Sequence, residues 1–305
     1  DKVLYNLIRK YIDNLGYEDI SLILWADSEG EQRYLDEIWK NLENRSNFFK
    51  DQHNGLSYRT MEMAWLLTAL CHYYPFAKNQ DVIQELSTRV KAAIINNFNL
   101  ETNLFYASNR LHRKNFIRAK YNNTLASLSS QTFTIMALAL YCQLFNENDV
   151  MHVTIRCADT LCGFQGPLGQ WWWIYNVEKG KIAERYPVFS VNQDGTVPMT
   201  LFAVQRLLTG NKYENNIYKG LDWVLGNNEL NIELVDWEKR LIWRGIRRKE
   251  PFGFGITGYL NTVSSVYLNG FNFEKVIRRF SDFEIIKEMY SYHPARFLYA
   301  FSDFL

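Results

Sequence analysis

The sequence predicts an all-α domain in which helical hairpins pack as an α/α toroid, with short β-hairpin inserts at one mouth. Three observations carry that prediction. Helices that are apolar nearly all round alternate with amphipathic ones, the apolar members recur roughly every sixty residues, and the segments between them share a turn followed by an aromatic or β-branched run. A helix apolar on every side is buried on every side, whereas an amphipathic helix shows one stripe to water. Alternating the two builds two concentric layers.

In chain order, an apolar stretch around Leu22, Ile23, Leu24 and Trp25 stops at Gly30, and a helix with Tyr34, Leu35, Ile38, Trp39 and Leu42 on one face follows. Residues 61–74 are almost wholly apolar and precede an amphipathic helix over 81–96. Residues 131–145 and 149–164 repeat the pair, as do 196–208 and 216–225. A last apolar segment, 256–268, leads into a charged helix over 274–280. The inserts run from Asn97-Phe98-Asn99 into Leu104-Phe105-Tyr106, from Gly166-Pro167 into Trp171-Trp172-Trp173, and from Trp237-Glu238 into Leu241-Ile242-Trp243-Arg244. Each reads as a strand or hairpin capping the barrel mouth. With six Pro, no low-complexity tract and no long run of like charge, residues 1–305 read as a single domain.

The formal net charge of +1 argues against nucleic acid or an anionic membrane as an electrostatic partner. No apolar run reaches the roughly 20 residues of a membrane span, and no signal peptide opens the chain. Cys71, Cys142, Cys157 and Cys162 lie in apolar helical contexts, as free thiols of a reducing compartment do, so a cytoplasmic location is expected. His53, His72, His112, His152 and His293 show no metal-ligand spacing, and phosphate-loop, nucleophile-elbow and dinucleotide motifs are missing. Neither a metal nor another cofactor is expected, and the oligomeric state stays open.

Candidate chemistry concentrates between Gly166 and Gly195. A turn at Lys179-Gly180 joins two extended arms, the second of which delivers Asn192-Gln193-Asp194-Gly195 to an inner-helix start. If residues 171–173 form a strand, Trp171 and Trp173 share one face, and with Tyr175, Gln170 and Gln193 they offer ring faces and amides to a sugar. A structural plug of Trp on the barrel end is the competing reading. Asp194 is the leading carboxylate, with helix capping as its competing role. Glu62, the acidic group within Thr60-Met61-Glu62-Met63-Ala64-Trp65, needs a cation or a reaction to offset burial. Two carboxylates facing across the mouth suit acid/base cleavage of a glycosidic bond. Glu184, Arg185 and Tyr186 form a second tier, in which Arg185 would hold a substrate anion and Tyr186 act as acid or base, with surface pairing or packing as the alternative. Trp243 and Arg244, with Arg247 and Arg248, make an aromatic and basic patch, and Asp27 is a weaker candidate that also suits helix capping.

Gly169-Gln170-Trp171-Trp172-Trp173 and residues 186–195 resemble a family of poorly characterised bacterial proteins often found beside glycosyltransferases. Leu24-Trp25-Ala26-Asp27, Met61-Glu62-Met63-Ala64-Trp65 and Ile242-Trp243-Arg244 extend the resemblance over most of the chain. More widely, the chain resembles two α/α-toroid superfamilies: six-hairpin glycosidases with their epimerase and lyase relatives, and terpenoid cyclases with prenyltransferases. The first implies a small-molecule or oligosaccharide substrate. The second depends on Asp-rich motifs, and neither Asp-x-Asp-Asp nor Asp-Asp-x-x-Asp occurs here. A non-catalytic glycan-binding toroid is a third possibility.

Overall fold

The computed structural model describes residues 15–45, 58–109, 117–249, 255–268 and 282–302. Its inner layer begins with α1 (Tyr17–Glu29), which turns through a short loop into outer α2 (Leu35–Arg45). Inner α3 (Thr60–Tyr73) precedes outer α4 (Gln80–Ile95), and after the hairpin of β1 (Phe98–Asn99) with β2 (Leu104–Phe105) comes a short α5 (Ile117–Thr124) and strand β3 (Leu125–Ser127). Inner α6 (Leu128–Phe145) then pairs with outer α7 (Asn148–Phe164).

The inner helices follow the composition rule. In α3, Met63, Ala64, Leu66, Leu67, Ala69 and Leu70 are all fully buried, so every side of the helix meets protein. In α4 only Ile83, Ser87, Val90 and Ile94 are buried, a helical stripe turned inward, and the rest faces water. Each fully buried aliphatic side chain contributes about 1.5–3 kcal/mol relative to its exposed state, which makes packing rather than helix propensity the reason these segments hold. Ser127 starts α6 by accepting from the Ser130 amide at 3.1 Å, and Asn146, at φ 54°, ends it in the left-handed conformation.

Strands β4 (Ile174–Asn176) and β5 (Lys181–Glu184) extend β3 into an antiparallel sheet of order β3-β4-β5, turning at Lys179-Gly180. Strand β6 (Val188–Phe189) leads through a π-helical turn, Asn192–Thr196, into inner α8 (Val197–Gln205) and outer α9 (Glu214–Val224). Beyond the hairpin β7 (Val235–Asp236) and β8 (Leu241–Ile242) lie β9 (Gly245–Arg248), α10 (Ile256–Tyr267), β10 (Phe283–Ile286) and α11 (His293–Phe301). A second sheet has the order β10-β9-β6.

The ring runs α1, α3, α6, α8, α11, each packed on the next, and closes where Trp25 of α1 meets Tyr299 of α11 edge-on at 5.8 Å. Short loops join each inner helix to its outer partner, and the long inserts all run from an outer helix back to an inner-helix start. Both capping sheets therefore sit at the mouth where the inner helices begin. Helix α6 is long and apolar enough to cross a membrane by length and composition, but 72% of it is buried, as its place in the ring requires.

Two expectations change. Residues 256–268 do form a helix, but α10 packs on α5, β4 and β5 instead of joining the ring. Its buried face is polar and small (Thr257, Asn261, Thr262, Ser264, Ser265), while Ile256, Tyr259 and Leu260 are exposed, so its mean apolarity conceals a face unsuited to an inner helix. The fifth ring position is filled by α11, which the apolar pattern did not mark. The helix expected over 274–280 lies outside the described residues, as do His53 and His112.

Candidate active site

A cavity of about 450 Å³ opens at the mouth between the two capping sheets, α5 and α10. Trp173, Tyr121 and Tyr259 form aromatic walls. Glu184, Tyr186, Arg247 and Arg248 supply the polar lining. The Tyr121 and Tyr259 rings lie 6.1 Å apart, and the Tyr121 hydroxyl is 2.6 Å from Thr262 Oγ1, which fixes α5 against α10.

Glu184 ends β5 and is only 2% exposed. Three donors from three parts of the chain converge on it: Arg248 Nη1 donates to Oε1 at 2.6 Å, the Tyr186 amide to Oε1 at 2.8 Å, and Asn261 Nδ2 to Oε2 at 2.8 Å. A buried carboxylate persists when its desolvation is offset by a paired cation and further hydrogen bonds, and this one has both. The Arg248 guanidinium also lies over the Tyr186 ring, 4.7 Å from its centre.

The Tyr186 hydroxyl donates to Glu229 Oε1 at 2.5 Å. Glu229 accepts two more bonds, from Gln170 Nε2 at 3.0 Å and from Trp223 Nε1 at 2.8 Å. A carboxylate thus stands behind the phenol and fixes the direction of its hydroxyl. Nothing in the local sequence around Asn227-Asn228-Glu229 marks this role, because Tyr186 and Gln170 are 43 and 59 residues away and only Trp223 is near.

The Trp run is not a strand. Residues 170–173 are irregular, and the twofold alternation expected for a strand does not apply. Trp171 and Trp172 are buried at 1% and 5% exposure, whereas Trp173, at 37%, reaches the cavity. Trp171 is seated against α9, where a Cβ on Gly220 would come within 3.0 Å of its indole nitrogen. Gln193 Oε1 accepts from the Trp171 amide at 3.1 Å, and Gln170 Oε1 from the Leu168 amide at 3.0 Å. Tyr175 is fully buried, and burial pushes its phenol well above the usual range. Trp171, Tyr175, Gln170 and Gln193 are therefore turned inward, where they join the segment to the toroid, and they present no ring face or free amide to the cavity.

Asp194 is not at this cavity but lines a separate apolar groove of about 550 Å³ with Phe202, Tyr218 and Trp237. It is 2% exposed within the π-helical turn, its Oδ1 2.6 Å from His293 Nε2 on α11. Burial raises its pKa, opposed by the hydrogen bond and charge of His293. Gly195 makes this approach possible, since a Cβ there would lie 3.1 Å from Arg296 Cβ of α11. Glu62 pairs with Arg59 at 3.6 Å and accepts from Tyr17 at 3.2 Å, away from the cavity lining. Asp27 accepts from the Tyr34 amide at 2.9 Å just before α2, a capping contact. Arg185 packs over Trp172 at 5.3 Å in an adjoining cavity of about 530 Å³ that shares Tyr186 and Arg248. Trp243 lies under Lys239, and Arg244 pairs with Glu288.

No protein-family model matches the sequence, and no curated protein is similar to it. Solved structures are similar in fold. Cellobiose 2-epimerase from Bacillus thermoamylovorans matches with TM-score 0.61 at 10% identity, over 95% of this chain and 88% of that one. The fold is an α/α toroid. The family 76 α-1,6-mannanase GH76A from Salegentibacter sp. HEL1_6 matches with TM-score 0.54 at 13% identity, over 69% of this chain and 61% of its own. The present chain thus spans about three fifths of that mannanase. A D-mannose isomerase matches with TM-score 0.59 at 8% identity, over 94% of this chain and 73% of that one.

Proposed function

We propose that the protein is a glycan-processing enzyme, a glycoside hydrolase or a related epimerase or lyase, acting on a small sugar or oligosaccharide at the mouth cavity. The observation that carries this reading is the conjunction of Glu184 and Tyr186 in one aromatic-walled cavity, with a second carboxylate, Glu229, hydrogen-bonded to the Tyr186 hydroxyl. Aromatic faces stack on the C–H face of a pyranose, and Glu184 with Arg247 and Arg248 orients its hydroxyls. In the proton transfer, the substrate proton arrives on the Tyr186 oxygen as the phenolic proton passes to Glu229. The reverse movement returns it.

In this reading the carboxylate pair is Glu184 and Glu229, in place of the Asp194 and Glu62 that the sequence suggests. The similar structures include a family 76 mannanase in complex with α-1,6-mannotetrose and a cellobiose 2-epimerase, proteins whose substrates are sugars. A charged lining disfavours a terpenoid-cyclase reading, which calls for an almost wholly aromatic pocket. Four free cysteines support placing the protein in the cytoplasm.

The test is a panel of oligosaccharides followed by proton NMR, in which new reducing-end signals report hydrolysis and altered ring couplings report epimerisation. Tyr186→Phe abolishes turnover while leaving binding nearly intact. Turnover retained in Tyr186→Phe removes the phenol from the mechanism, and binding without turnover in the wild-type protein leaves a glycan-binding toroid.

A further inference from the structure

A line of aromatic rings and guanidinium groups leaves the cavity at Trp173 and crosses the mouth toward the inner helices. Trp173 meets Phe189 edge-on at 5.9 Å, and the Arg244 guanidinium lies 5.3 Å from the Phe189 ring and 4.5 Å from that of Tyr290. Tyr290 stacks on Tyr292 at 4.9 Å and 20°, and Arg296 lies 4.5 Å over Tyr292 on one side and 5.1 Å from Phe133 of α6 on the other. The line has an open side, since Tyr292 is 42% exposed and Tyr290 and Arg296 are partly so.

The two guanidinium groups differ in one respect. Arg244 is neutralised by Glu288, whereas no carboxylate among the described residues pairs with Arg296, whose hydrogen-bond partner is the Thr196 hydroxyl at 3.1 Å. Desolvation lowers the Arg296 pKa below its ordinary value. A partly buried cation that no carboxylate among the described residues neutralises is suited to a ligand that supplies the counter-charge. Ring faces suit pyranoses, and a planar guanidinium suits a carboxylate bidentately.

We propose that this line is a glycan-binding track and that Arg296 selects a sugar bearing a carboxylate, a uronic acid residue, at its inner end. A single positive charge with no carboxylate partner among the described residues matches a carboxylate monoanion better than a phosphate dianion. The inference rests on the glycan reading of the mouth cavity and adds the charge of the substrate.

Calorimetric titration of the full chain with a glucuronate-terminated trisaccharide, with its carboxyl-reduced neutral twin and with inorganic phosphate tests it. The acidic trisaccharide binds at least about tenfold tighter than its twin. Arg296→Gln removes that preference, so that the variant binds the two trisaccharides with equal affinity. Arg296→Lys, which keeps the charge and loses the planar fork, retains part of the preference and carries the test if Arg296→Gln does not fold by circular dichroism. Equal affinity for the two trisaccharides overturns the inference while leaving the glycan reading in place. Phosphate binding at Arg296 without acidic-sugar preference overturns the uronate assignment. Failure of both trisaccharides to bind overturns the glycan reading and this inference with it.

Discussion

Replacing Glu184 with Gln isolates the charge at the centre of the proposed site, because the amide keeps the shape of the carboxylate. All three partners of Glu184 are donors. A glutamine that retains its oxygen toward Arg248 and the Tyr186 amide turns its NH2 toward Asn261 Nδ2. Asn261 relieves that clash by rotating its own amide, since its Oδ1 is buried with no partner. The hydrogen bonds then survive and only the charge is lost, so the Arg248 guanidinium, 8% exposed, no longer faces the Glu184 carboxylate it holds at 2.6 Å. Removing one partner of a buried pair costs about 3–5 kcal/mol. The Arg248 contact with the Tyr186 ring is present in both proteins and does not enter the difference. The expected loss of stability is therefore about 3–5 kcal/mol. Urea denaturation of Glu184→Gln, Arg248→Met and the double variant measures it, and the double variant recovers much of the loss. A Glu184→Gln cost under about 0.5 kcal/mol with unchanged sugar binding refutes the argument that this pair organises the cavity.

Three further outcomes follow from the same geometry. Trp171→Ala destabilises by about 3–5 kcal/mol because a fully buried indole is lost, whereas Trp173→Ala leaves the denaturation midpoint nearly unchanged and weakens oligosaccharide affinity about tenfold, read by titration. The raised folded-state pKa of Asp194 means that its stabilising contribution is fully present below its unfolded value of about 4 and is lost as pH rises through the folded value. The melting temperature of the wild type relative to Asp194→Asn therefore falls from about pH 4 upward, and a rise over that interval would show the shift to have the opposite sign. Gly195→Ala forces a Cβ against Arg296 and costs about 1–3 kcal/mol, measured by the same denaturation.

The two-layer architecture was legible because burial leaves a compositional trace: α3 and α6 are apolar on all sides, and α4 and α7 carry a single inward stripe. Helix α10 misled because its buried face is made of Thr, Ser and Asn, and α11 escaped because nine amphipathic residues, with Leu298 exposed, look like a surface segment. The segment from Gly166 to Gly195 stands out in the sequence as the richest, yet most of its conspicuous side chains are buried among the elements of the fold. Trp171, Gln193 and Asp194 pack the insert against α9 and α11, and the cavity receives Trp173, Glu184 and Tyr186. Glu184 ranked second because its partners Arg248 and Asn261 are 64 and 77 residues away, and a contact at that distance has no local signature. Glu229 was missed for the same reason, being 43 residues from Tyr186 and 59 from Gln170.

A crystal structure of the full chain soaked with a panel of neutral and acidic oligosaccharides tests the central claim most directly. The account predicts a sugar ring stacked on Trp173 with hydroxyls at Glu184 and Tyr186. Sugar density confined to the apolar groove lined by Phe202, Tyr218 and Trp237, with the mouth cavity empty, would contradict it.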